Sequence, residues 1–162
     1  MVQNDLEESL RIRKIKEGTV IDHINPGNAL YVLRILKITG KEGNIISVAM
    51  NVPSGKLETG YKDVVKIENR ELDPNEINVI ALISPEATIS IIRNMNVVSK
   101  KRVELPDEIT DVNIKCINPN CITNSNEPVK THYKLKRKNP LEIECMYCNK
   151  TMSYNDIINN LT

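Results

Sequence analysis

Four cysteines, Cys116, Cys121, Cys145 and Cys148, stand as C-x4-C, a long insert, then C-x2-C, and they constrain how the last third of the chain can close. Two such close pairs, separated by an insert from Ile122 to Glu144 without a further cysteine, are what a tetrahedral four-thiolate zinc site requires. Four sulfurs fill the shell of the ion, whereas a catalytic zinc keeps one position open for water. The spacing therefore predicts one structural Zn2+ per chain, which folds a small module and leaves no thiolate over as a nucleophile. Two disulfides are the alternative. They would need an oxidising compartment, and the opening Met-Val-Gln-Asn-Asp-Leu-Glu-Glu carries no apolar leader to export the chain.

Clustering of the cysteines after Cys116 in a chain of 162 residues predicts two domains, 1–105 and 106–162, joined at Leu105-Pro106-Asp107-Glu108. Net charge is +1, so the overall balance demands neither nucleic acid nor an anionic membrane, and any anion site must be local. No apolar run approaches the roughly 18 residues of a membrane helix, which predicts a cytoplasmic chain with no membrane partner.

Met1 to Glu8 reads as a frayed start, and Leu10 to Lys16 as a short extended arm stopping at Gly18. Strands are predicted over 19–24, 45–52, 62–68, 87–92 and 97–103. One helix runs from an Asn28 cap to Gly40. A second starts at Asp73-Pro74, with Glu76 placed for a capping box, and ends near Ser84-Pro85. Arg93-Asn94-Met95-Asn96 reads as a hairpin turn. The order β-α-β-β-α-β with an extra hairpin strand is the ferredoxin-like α+β arrangement, an antiparallel sheet with two helices on one face. Its uncovered face and open edges favour a homodimer. Beyond the linker, strands over 131–137 and 141–144, around Asn139-Pro140, predict a small all-β domain resembling a zinc ribbon. Ser153 to Ile158 reads as a short helical turn.

Other residues carry chemistry. Asp22 and His23 close the first strand and, by alternation, point to opposite faces, so each is a separate polar contact or a plain surface group. Lys66 and Lys100 stand on different strands, where their ammonium groups converge on phosphate or sit in solvent as edge-strand charges. The stripe Lys134-Leu135-Lys136-Arg137-Lys138 suits nucleic acid, an acidic partner, or a solvated strand face. With only His23 and His132 available and no phosphate-loop or nucleophile-elbow motif, little supports an enzyme. An RNA-recognition sheet needs aromatic side chains on its central strands, and these strands carry none. A nucleic-acid-binding zinc ribbon is the rival reading.

Five motifs in register then point to one family. Gly18-Thr19-Val20-Ile21-Asp22-His23-Ile24, Asn51-Val52-Pro53-Ser54-Gly55, Lys62-Asp63-Val64-Val65-Lys66-Ile67-Glu68-Asn69, Pro85-Glu86-Ala87-Thr88 and the cysteine pairs closely resemble the regulatory chain of aspartate carbamoyltransferase, an enzyme of pyrimidine biosynthesis. The likeness runs from about Ile12 to the end. It implies a noncatalytic allosteric subunit that binds CTP, ATP and UTP in its N-terminal domain, pairs as a homodimer through that domain, and docks its zinc domain onto the catalytic chain. By the same resemblance, Asp22 and Lys66 hold the ribose, His23 and Lys100 the phosphates, and Lys62 lies nearby. Main-chain groups around Ile15, Ile92 and Met95 line the base. Ser90 and Met95 depart from the better-known bacterial members, which have asparagine and tyrosine there, and this bears on base preference. The stretch Lys56 to Tyr61 is longer than in those members and bears on the rim of the site.

Overall fold

The structure, a computed structural model, describes residues 14–162; the expected frayed start and the arm before Lys14 lie outside the described residues. By contact the chain separates into two compact units. The first comprises the residues up to Ala29 with Thr39–Asp73 and Glu86–Val103. The second comprises Leu30–Ile38, Pro74–Pro85 and Glu104–Thr162.

In the first unit five strands form one antiparallel sheet: β1 (Gly18–Ile24), β2 (Ile46–Pro53), β3 (Tyr61–Glu68), β4 (Thr88–Arg93) and β5 (Asn96–Arg102), in the order β2-β3-β1-β4-β5. Helix α1 (Ala29–Ile35) falls between β1 and β2. Helix α2 (Pro74–Val79), continued by a 3-10 turn at Ile80–Leu82, falls between β3 and β4. The chain thus follows the expected α+β order, β-α-β-β-α-β with one added strand.

Register gives the sheet two unlike faces. Thr19, Ile21 and Ile24 of β1 stand beside Ile67, Val65 and Asp63 of β3, with Ile91 and Ile89 of β4 on the other side; all are buried. Branched side chains suit this pleated, packed surface. The alternate positions form the row Ser47, Lys66, Val20, Ser90, Lys100 across all five strands. At one end of β1, Gly18 has φ 137°, and a Cβ there would stand 2.0 Å from the Ile67 carbonyl oxygen, so only glycine fits. Asn94 and Met95 both have positive φ, 49° and 67°, which is the two-residue turn that matches strand twist in the β4–β5 hairpin.

Asp63 organises the opposite end. Its fully buried carboxylate accepts hydrogen bonds from the amides of Gly27 (2.9 Å) and Ala29 (3.0 Å) at the start of α1, and from Asn51 (3.0 Å) at the irregularity in β2. The Ala29 amide is one of the orphan donors of a helix start, so a carboxylate remote in sequence helps to close the first turn of α1.

In the second unit, α1 stops at Ile35 rather than near Gly40. Lys37 adopts φ 60°, its amide bonds the Arg34 carbonyl (3.0 Å) and the Ile38 amide bonds Leu33 (2.9 Å), which is the Schellman arrangement with lysine in glycine's usual place. Strands β6 (Glu108–Thr110), β7 (His132–Lys138), β8 (Leu141–Cys145) and β9 (Thr151–Ser153) form a second antiparallel sheet in that order. β7 and β8 fall where periodicity puts them. β6 begins inside the expected linker, at Glu108, because three residues are too few to show a period and pairing with the longer β7 makes the strand. The final helix α3 (Tyr154–Asn159) carries a full capping box between Ser153 and Asp156. Around this sheet Ile109, Ile114, Tyr133, Ile143, Met152 and Ile157 are buried, and the Tyr133 hydroxyl donates to the Ile114 carbonyl oxygen at 2.8 Å.

Candidate metal centre and anion-binding face

The sulfurs of Cys116, Cys121, Cys145 and Cys148 all lie within 4.8 Å of one another, and among the described residues no other group of side chains is so placed to hold a metal ion. Cys116 and Cys148 approach to 3.6 Å, Cys121 and Cys145 to 3.7 Å. A tetrahedron with metal–sulfur bonds of about 2.3 Å has edges of about 3.8 Å, so these two edges have the length a zinc-sized ion needs and the whole set is close enough to hold one. The same separations leave every cysteine unbridged, against the disulfide alternative.

Local structure aims the sulfurs inward. Cys145 ends β8, its amide bonds the Lys150 carbonyl (2.9 Å), and Asn149, at φ 64°, turns the chain back after Cys148. On the other arm the Asn124 side chain donates to the carbonyls of Cys116 (3.0 Å) and Asn118 (2.7 Å), closing the first knuckle. Burial pushes the Cys116 and Cys145 thiols up. Cys148 is lowered to about 7: burial raises it, but hydrogen bonds from the Lys150 amide and the Asn118 side chain outweigh that. A cation is what lets such a buried set become thiolate.

The polar face of the five-stranded sheet gathers most of the other residues singled out. Asp22 and Lys62 pair at 2.9 Å. Lys66, Ser90 and Lys100 share one row, with Lys66 and Lys100 separated by three strand spacings, about 14 Å. Lys66 is buried, and burial lowers its pKa, with Asp22 opposing and Lys14 assisting. Ile92 stands beside Gly18 at the end of the sheet where Ile15 is buried and the Met95 amide donates to the Lys16 carbonyl (2.9 Å); the Met95 side chain itself is exposed.

His23 corrects the expectation that Asp22 and His23 point to opposite faces. The β1–β3 register shifts between Ile21 and Ile24, and His23 takes φ 56°. The extra residue of this bulge breaks alternation and lets Asp22 and His23 serve one face. Asp22 accepts a hydrogen bond from the His23 amide (2.6 Å), its carboxylate is 4.0 Å from the His23 Nδ1, and that nitrogen is 3.0 Å from the Thr88 hydroxyl. Thr88 escaped the sequence reading because only the β1–β4 register, Asp22 opposite Thr88, reveals it. Burial lowers the His23 pKa; Asp22 opposes this, and Lys62, Lys56 and Lys100 lower it further. The imidazole is thus biased toward its neutral form, and beside Asp22 the charges that act on it are those of Lys62, Lys56 and Lys100, an excess of positive charge that an incoming anion relieves.

The basic stripe is internally matched. Arg137 pairs with Glu142 at 2.8 Å, Lys136 lies 3.7 Å from Glu142 and 3.8 Å from Glu144, and Lys134 stands in register between Glu108 and Glu144. A strand most of whose charges meet acidic partners presents a reduced field to a polyanion, and the nucleic-acid reading is not favoured.

Fold and sites together define a two-part α+β protein that carries a cationic sheet face and a four-cysteine module suited to a metal ion. The family model described as aspartate carbamoyltransferase regulatory chain, allosteric domain, matches residues 10–104, and that for the metal binding domain of the same chain matches 107–158. The aspartate carbamoyltransferase regulatory chain of Thermofilum pendens is 53% identical over 157 residues, 96% of this chain and 97% of its own length. That of Thermoplasma volcanium is 52% identical over 151 residues, 93% and 97% of the two chains, and that of Methanothrix thermoacetophila 51% over 148 residues, 91% and 94%. The chain belongs to the family of aspartate carbamoyltransferase regulatory chains, with its allosteric and metal-binding domains. Among the described residues no helix is long and apolar enough to cross a membrane.

Proposed function

We propose that this chain is a noncatalytic sensor: it binds a nucleoside triphosphate such as CTP, ATP or UTP on the polar sheet face, and conveys that state to a separate catalytic chain through a domain held by one zinc ion. Residues 1–105 form the allosteric domain, which also pairs with a second copy of itself, and 106–162 the docking domain; the extents of the two family matches support this division. The single observation that carries the reading is the gathering of Asp22, His23, Lys62, Lys66, Ser90 and Lys100 on one face, next to the main chain at Ile15, Ile92 and Met95. Lysine and histidine there supply charge-assisted contacts to phosphate, Asp22 and Lys66 suit ribose hydroxyls, and backbone groups read the base edge. For the effector to alter a distant active site it must bind two states of the assembly unequally, typically by about 1 to 3 kcal/mol.

Calorimetric titration of the full chain with CTP and ATP tests the reading, together with co-elution with the catalytic chain of aspartate carbamoyltransferase. Binding of neither nucleotide, or no co-elution, overturns it. Within the same titrations Lys100→Ala weakens CTP by about tenfold, the worth of one charge-assisted contact, and cytidine hardly at all. Equal loss for both ligands contradicts the assignment of Lys100 to phosphate.

The depressed His23 pKa gives a pH signature of definite sign. In the free chain the unfolded state takes up a proton below about 6.5 that the folded state resists, so the His23 contribution to stability is present above that pH and is lost as pH falls. Bound phosphate reverses the balance, because it favours imidazolium. CTP binding therefore takes up a proton and tightens as pH falls toward the range in which imidazole protonates, a change that His23→Gln removes. Titrations in two buffers of different ionisation enthalpy read the proton directly.

A further inference from the structure

Among the cations that surround His23, Lys62 is engaged by Asp22 at 2.9 Å, whereas the ammonium groups of Lys56 and Lys100 have no ion-pair partner among the described residues. Lys100 belongs to β5 at one edge of the sheet. Lys56 belongs to the β2–β3 hairpin, so the two stand on elements that flank β1, the strand of His23, on opposite sides.

The hairpin is a built element. Pro53 pairs with Tyr61, the Ser54 amide bonds the Gly60 carbonyl at 2.8 Å, the Gly60 amide bonds Leu57 at 2.9 Å, and the Lys56 amide bonds the Ser54 hydroxyl at 3.3 Å. These bonds fix the main chain at Lys56 while its side chain extends into solvent. The position along the strands matters as well. Base-lining groups lie at the Gly18–Ile92 row, Lys66, Ser90 and Lys100 one pleat further on, and Asp22 and Thr88 the next. Beyond these, β3 continues back through Asp63 and Lys62 to Tyr61, where the hairpin begins. From Lys66 to Lys62 is four residues, about 13 Å along an extended strand, so the hairpin lies on the side away from the base. Lys56 and Lys100 both stand near enough to lower the His23 pKa, which agrees with this ordering.

We propose that Lys56 binds the outermost phosphate of the effector and so sets the preference for a triphosphate over a diphosphate. The proposal rests on the effector-site reading above and adds to it a residue that the family resemblance does not assign. An exposed ammonium contributes through charge rather than packing, so its effect is moderate and fades with salt.

The test uses the full chain and four probes, CTP, CDP, CMP and cytidine, titrated into the unaltered protein, Lys56→Ala and Lys56→Arg at low and at 0.3 M added salt. In Lys56→Ala the preference for CTP over CDP falls by about fivefold, while CMP and cytidine bind as before; Lys56→Arg keeps most of the preference, and salt narrows the gap between the variants. Unchanged CTP-to-CDP preference in Lys56→Ala overturns the assignment, as does equal weakening of CTP and CMP. An unaltered chain that binds none of the four probes overturns the effector-site reading and this inference together, whereas CTP binding that needs Lys100 but not Lys56 overturns the inference alone.

Discussion

In Cys145→Ser the metal is lost, β6 to β9 lose their protection from hydrogen exchange, and the chain no longer co-elutes with the catalytic chain. The expected size follows from the role of the ion. Metal binding in small thiolate domains contributes on the order of 10 kcal/mol or more, as much as or more than the whole folding free energy of such a domain. Around the four-stranded sheet the buried apolar side chains are few, chiefly Ile109, Ile114, Tyr133, Ile143, Met152 and Ile157, and three of the sulfur ligands, Cys116, Cys121 and Cys145, are buried as well. Serine at 145 offers a hydroxyl in place of a thiolate and leaves three sulfurs facing one another without a cation. Treatment of the unaltered chain with a strong chelator should reproduce the loss, and returning Zn2+ should reverse it. Metal analysis together with hydrogen exchange measures both; full protection of β7 and β8 in the metal-free protein would contradict the expectation.

Asp63→Asn is the second large effect, a loss of about 3 kcal/mol in unfolding free energy. The side chain is fully buried and accepts three amide hydrogen bonds, two through Oδ2 and one through Oδ1. An asparagine of the same shape keeps one acceptor oxygen and turns an NH2 group toward a backbone donor, so at least one buried amide is left unpaired and the remaining bonds lose their charge assistance. By the size of the chain this lowers the melting temperature by about 6 to 12 °C. Thermal melting checks it, and a shift under 2 °C would show that the carboxylate is dispensable at the junction of β1, α1 and β2.

Much of this was legible in the chain itself. The cysteine spacing announced the metal centre because a tetrahedral ion needs two short arms, and short arms are local in sequence. The strand and helix order followed from periodicity over segments long enough to show one, such as Tyr61–Glu68. The family resemblance supplied the residues proposed for the effector site, and alternation alone placed Lys66 on the face opposite Val65 and Ile67.

What escaped was whatever depends on a partner far along the chain. Alternation put Asp22 and His23 on opposite faces, and a bulge cancelled it; nothing in the local residues marks that bulge, since it exists only in the pairing with β3. The short strands β6 and β9 become strands only beside β7 and β8. Lysine at position 37 ends α1 where glycine would have signalled the stop. Asp63 looked like one more alternating strand residue and proved to hold the start of a helix 34 residues earlier in the chain. The sequence by itself determined the metal ligands, the order of elements and the family, because each is written in spacing or in short runs. Only the tertiary structure decided which charges face one another, since that is set by register between strands and by the bulges that shift it.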